Sequence, residues 1–589
     1  MVVRFPTLPA RSPAGPIASV LALLAATWLA ACAAEQPAPP AERDATPGKA
    51  SLDLPADTES ASETITADAL RTAIAYLSSD ELEGRAPGTQ GDVAARHYIA
   101  EQLAAAGAQP AGDDDGWEQR FNIVGVTTTQ PAAWRFAKGS EQVSFAPSTQ
   151  FIASIGTQQE HVAIDGADVV FVGYGIDAPE FDWDDYKGTD LSGKVIVMLN
   201  NDPDWDDTLF AGNRRLYYGR WTYKYESAGR QGAAAAIIIH TDPSAGYGWN
   251  VVQSSWSGTQ FELPAAGDEA RVPVAAWLTY EAAEKLFSLA GHELAASIEA
   301  AHSRDFKPID LGVKTSLTLE ATVARDVTTA NVLGMIPGSD PQLRDQVVVL
   351  TAHHDHLGRG APDETGDDIY NGALDNASGV SQVLAIARAF AHLSEPPRRS
   401  VLFTLVAGEE QGLLGSKYFA SHPPIPPGRI AANINFDAGN IWGHTSDLIF
   451  IGYGKSSLDA VVEAAAATQG RHVVGDQFPD KGYFYRSDQL SLAKIGVPAF
   501  YLDGGTELIG KDAGEAARLI EAWTQEHYHQ PSDELRDDWN FDGMIDDTRI
   551  GFLVALQVAE ADAMPQWNPG DEFEAARQDA LAALGDAAR

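Results

Sequence analysis

Five short clusters of histidines and carboxylates stand where an apolar run has just ended or a helix is about to begin. His353-His354-Asp355-His356 follows the run 347–352, Gly408-Glu409-Glu410 follows 400–407, and Asp437 follows 429–436. Asp375 lies in Gly372-Ala373-Leu374-Asp375-Asn376-Ala377-Ser378-Gly379, at the opening of a helical pattern. His529 lies in Tyr528-His529-Gln530-Pro531-Ser532-Asp533. Imidazole and carboxylate donors without cysteine suit zinc or a similar borderline divalent ion. Two histidines and three carboxylates exceed what a single tetrahedral catalytic zinc uses. If one carboxylate bridges, each of two metals receives three protein ligands and a shared position stays open for water. A serine-hydrolase reading lacks support, because no Gly-x-Ser-x-Gly elbow is present.

These clusters need a scaffold that brings distant segments together. The run 347–352 is apolar and short enough for a buried strand, 400–407, 429–436 and 497–502 read as further strands, and 378–393 has helical periodicity. Strands alternating with helices imply an α/β domain with a mostly parallel sheet and helices on both faces. Such sheets bind ligands beyond the carboxyl ends of their strands, where the clusters fall. Helical patterns at 66–77 and 91–106 belong to the same domain. Residues 131–305 have a different texture, with β-like runs at 167–174, 194–199 and 233–240 and few helical stretches. They read as a smaller inserted α+β domain. The expected division is 1–32 leader, 33–63 disordered tether, 64–130 and 306–565 main domain, 131–305 insert and 566–589 tail.

The chain has 589 residues, too many for one ordinary core. With 82 acidic against 41 basic residues its formal charge is -41, which repels nucleic acid and argues against that partner. A single cysteine rules out intrachain disulfides. Arg4 and Arg11 precede an apolar run at 17–31, short for a membrane span and typical of a signal-peptide core. The run ends in Leu29-Ala30-Ala31-Cys32, which resembles a bacterial lipobox. That implies lipidation at Cys32, export and membrane anchoring, and Ala33 favours the outer membrane. The tether beyond would span on the order of 30 Å.

The ordered set His-x-Asp, Asp-Asn-Ala-Ser-Gly, Gly-Glu-Glu, Asp and a late His resembles the M28-type zinc aminopeptidase family with a protease-associated (PA) insert. Thr329-Ala330-Asn331-Val332-Leu333-Gly334 and Gly496-Val497-Pro498-Ala499-Phe500 add to the likeness. The resemblance implies two zinc ions and peptide substrates with a free N-terminus. His353 and Asp437 would hold one ion, Glu410 and His529 the other, and Asp375 would bridge them. Glu409 would be the general base, and Asp355 would orient His353. It also makes Asp375-Asn376 a candidate cis peptide. His356 falls at a position that lines the cleft in one reading, and His354 should face away. Trp183, Tyr217, Tyr218 and Trp221 would contact peptide or pack internally. Three alternatives compete. A carboxypeptidase of the glutamate-releasing type would need a cationic cluster, to which Arg486 is a candidate contributor. A one-zinc glutaminyl-cyclase-like enzyme conflicts with the full ligand set. A non-catalytic binding protein on this fold would be expected to lose ligands.

Overall fold

The computed structural model describes residues 52–587 apart from 207, 266 and 268. The expected leader, the lipidation site Cys32 and most of the tether lie outside the described residues. Residues 52–63, expected at the end of the tether, are packed against the domain. Thr58–Ser62 is a helix with Ala61 fully buried, and Asp57 Oδ2 accepts from Ser394 N at 2.6 Å.

The central strand Val347–His353 lies between Ser400–Val406 and Ile430–Phe436 and is parallel to both. Ala499–Asp503 continues the parallel set beside Ile430–Phe436. Antiparallel strands then close each side, Asp447–Ile451 against Ala499–Asp503 and Ile309–Ile336 against Ser400–Val406. Burial on both faces explains the near-continuous apolar runs of the central strands. Val348, Leu350 and Ala352 pack with helices Ala67–Leu77, Gln90–Ala105, Gly379–His392 and Asp542–Glu560. Val347 and Val349 pack on the other face with Phe419 and Leu492. Each fully buried valine or leucine contributes about 1.5–3 kcal/mol. Local signals set the helix starts: Thr66 Oγ1 accepts from Ala69 N, and Thr89 Oγ1 from Asp92 N.

The inserted segment builds a second sheet in the order Phe151–Ile155, Val274–Thr279, Ala235–His240, Val195–Leu199 and His161–Phe171. Helices Trp221–Arg230, Trp249–Ser255, Tyr280–Ala290 and Leu294–Ala301 accompany it. The two sheets are joined by Ile309–Ile336, a strand of 28 residues. Its first part pairs with His161–Phe171 and its last part with Ser400–Val406. Along the first part Leu311, Val313, Thr315, Leu317 and Leu319 are buried and alternate with exposed residues. At the far end of the chain Glu574–Ala587 is a helix, and Arg577 donates to Ile430 O at 2.8 Å.

Candidate metal centre

The carboxyl ends of the three central strands deliver His353, Glu409-Glu410 and Asp437 to one edge of the sheet. Asp375 arrives from the loop before helix Gly379–His392, and its peptide bond to Asn376 is cis. His529 arrives after helix Glu515–Glu526. Both His529, at φ 56°, and Ala438, at φ 74°, hold the left-handed conformation that side chains disfavour. Strain of this kind collects at functional sites.

Asp375 sits between the two histidines. Its Oδ1 is 3.1 Å from His353 Nε2, and its Oδ2 is 3.2 Å from His529 Nε2. Asp437 Oδ1 is 3.4 Å from His353 Nε2, and Glu410 Oε2 is 3.0 Å from His529 Nε2. The five residues expected to bind metal are therefore together, arranged as two sets that share Asp375. Asp355 is beside them: its carbonyl lies 3.3 Å and its Oδ1 3.7 Å from His353 Nδ1. Asp355 Oδ1 also accepts from Glu409 N at 3.2 Å.

The donors suit a divalent cation on three physical grounds. Donor atoms of His353, Asp375 and Asp437 lie within 4.8 Å of one another. His529 Nε2 is buried, faces two carboxylates and makes no hydrogen bond. Finally, the carboxylates demand positive charge. Burial by itself would lower the pKa of both histidines, yet the facing carboxylates hold His353 well above its usual range and raise His529 to about 10. Likewise burial would raise Glu410, but the neighbouring His529 and His356 bring it down to about 2. A cation would take the place of those protons. Glu409 differs: burial, with Asp437 and Glu410 nearby, holds it well above the carboxyl range.

Several supporting residues carried no decisive signal in the sequence. His356 is buried, and its Nδ1 lies 2.6 Å from Glu410 Oε1. With Asp375 and Glu410 it forms another compact donor group. Asp533 accepts from Leu374 N at 2.8 Å and Asp375 N at 3.0 Å, which fixes the Asp375 loop. Arg85, 1% exposed, donates to the carbonyls of His354, Asn371 and Gly372. Ser255, from the inserted segment, places Oγ 2.7 Å from His529 Nδ1. His354 points away, with Nε2 3.2 Å from Ala330 O. Trp183 is in the core of the insert, whereas Trp221 lines the cleft.

Above the centre is a cavity of about 900 Å³ between the insert and the main sheet. Arg220, Trp256 and Tyr247 line it from the insert, and Glu409, Tyr528 and His529 from the main sheet.

A mixed α/β sheet with a buried histidine–carboxylate cluster at its strand ends can hold a divalent cation there. Residues 331–552 match Peptidase family M28. All five candidate ligands and Glu409 lie inside the matched stretch. The chain is 31% identical over 264 residues to leupeptin-inactivating enzyme 1 of Streptomyces exfoliatus, covering 44% of this chain and 54% of that one. It is 37% identical over 111 residues to a probable zinc metalloprotease of Pyrenophora teres f. teres, covering 19% and 23%. The chain thus spans a quarter to a half of the length of these curated relatives. Among solved structures, an aminopeptidase from Aneurinibacillus sp. strain AM-1 shares the fold at a TM-score of 0.51 and 19% identity, over 87% of this chain and 97% of that one.

Proposed function

We propose that this chain is a zinc-dependent aminopeptidase that removes N-terminal residues from peptides. The observation that carries the reading is Asp375, whose two oxygens each face a different histidine. Two zinc ions are proposed, one held by His353 and Asp437, the other by Glu410 and His529, with Asp375 shared. Histidine and carboxylate donors suit that metal, and the name of the fungal relative includes it. When bound, such a pair supplies Lewis acidity toward the scissile carbonyl and lowers the pKa of water.

The chain's own groups do the rest. Glu409 stands beside ligand Glu410 with its proton affinity raised by burial. That suits it to take the proton of the attacking water and return it to the leaving amine, a role worth about 10²–10⁴-fold. Asp355 fixes His353, and Asp533 fixes the loop that presents Asp375. The insert, which we read as a PA-type domain, walls one side of the cavity. A binding protein on this fold would have no need of Glu409 beside a complete ligand set.

The test is hydrolysis of aminoacyl chromogenic amides and their N-acetylated counterparts, with and without chelator and added zinc. Chelator-sensitive cleavage of the free amines alone is expected. Cleavage of N-blocked peptides from the carboxyl end would replace this reading with a carboxypeptidase. We also infer export and a lipid anchor at Cys32, most simply at the bacterial outer membrane. Palmitate labelling should be lost in Cys32→Ala; equal labelling would exclude the anchor.

A further inference from the structure

Two arginines of the cleft wall carry positive charge without an ion-pair partner among the described residues. Arg220 and Arg486 both line the cavity over the metal centre, one from the insert and one from the main domain. Neither guanidinium forms an ion pair among the described residues. Arg220 Nε is buried and has no hydrogen-bond partner. Arg486 makes one long contact, from its Nη2 to Tyr528 Oη at 3.3 Å, and lies over the Tyr247 ring at 5.4 Å. The two arginines are near enough to act on each other's charge, and Glu409 is the carboxylate that acts on Arg220. Tyr528 in turn packs on His529, with ring centroids 3.9 Å apart. Lys417 lines the same cavity, also without an ion pair among the described residues.

Two like charges facing one cavity repel, and desolvating them adds to the cost. Other carboxylates line the cavity, but Glu262 and Glu269 pair with Arg271 and Glu226 accepts from Tyr217 Oη, so none of these three pairs with either arginine. A planar guanidinium is built to take a carboxylate through two parallel hydrogen bonds. We propose that Arg220 and Arg486 form a subsite for a substrate carboxylate next to the scissile bond. The preferred substrates are then peptides with an acidic side chain at that bond, or short peptides whose C-terminal carboxylate reaches it. This rests on the peptidase reading above and adds a substrate class to it.

Two matched pairs separate the sources of the carboxylate. Leu-Ala against Leu-Ala-amide tests the C-terminal group, and glutamyl against glutaminyl p-nitroanilide tests the side chain. The zinc-loaded wild type should favour the charged member of at least one pair by about tenfold or more in kcat/KM. That ratio should collapse toward one in Arg220→Met and in Arg486→Met. Arg→Lys at either site should restore it in part, because the charge stays but the fork is lost. Calorimetric binding of glutarate against glutaramide to the same proteins reads the subsite without turnover, and holds even if the peptidase reading fails. Absence of charge preference in both pairs and in the calorimetry would overturn the subsite, as would a preference untouched in both variants. Turnover of neutral and charged substrates alike would leave the aminopeptidase reading standing while removing this one.

Discussion

Ser255 Oγ lies 2.7 Å from His529 Nδ1, so a residue of the inserted segment holds an imidazole of the metal centre. Ser255 ends helix Trp249–Ser255, and His529 belongs to the main domain 274 residues further on. With Nδ1 so engaged, Nε2 is left to face Asp375 and Glu410. Partners of this kind fix the tautomer and ring of a metal ligand, and their loss costs about 10–100-fold in metal affinity. Ser255→Ala should therefore weaken zinc binding by about tenfold in a chelator competition. An unchanged affinity would mean that the contact is only packing.

Glu409 gives a different expectation. It is not among the five candidate ligands, Asp375 and the four around it, and its carboxyl is held high by burial. Glu409→Gln should keep full zinc content and lose about 10²-fold or more of kcat. Loss of metal together with activity would place Glu409 among the ligands.

Arg85 ties the His353 loop to the Asp375 loop through backbone carbonyls on each. Arg85→Met would strip the buried His354 and Asn371 carbonyls of this donor, while Gly372 O keeps Ala377 N, at about 2 kcal/mol or more for the pair. Urea unfolding checks this, and a loss below about 1 kcal/mol would contradict it.

His240 ends strand Ala235–His240, and burial lowers its pKa below the ordinary 6.5. The unfolded chain thus takes up a proton before the folded one does. The stability linked to His240 is fully present above pH 6.5 and is lost as pH falls toward the depressed folded value. Melting temperatures between about pH 5 and 7 should fall less steeply in His240→Gln than in the wild type. Parallel profiles would assign the acid sensitivity elsewhere.

Much of the centre could be read from the sequence because its strands are buried on both faces. The run 401–407 is then apolar but for Thr404, and the first charged residues after it, Glu409 and Glu410, mark the strand end. Expectations and structure differ where the signal is not local. Nothing near Ser255 announces a partner 274 residues away. His356 stands within the first cluster, but the turn after His353 decides that it meets Glu410. The long strand Ile309–Ile336 carries no single sequence signal: its first half shows alternation of period two and its last part a both-faces-buried run. The change of pattern, with a register shift between Ala324 and Val327, hides one continuous element.

The account turns on Asp375 as the shared ligand of two ions. Elemental analysis of zinc per chain, in the wild type and in Asp375→Ala, tests it directly. Two zinc ions per wild-type chain and loss of both in the variant are predicted. A single zinc in the wild type, or an undiminished zinc content in Asp375→Ala, would contradict the shared role of Asp375.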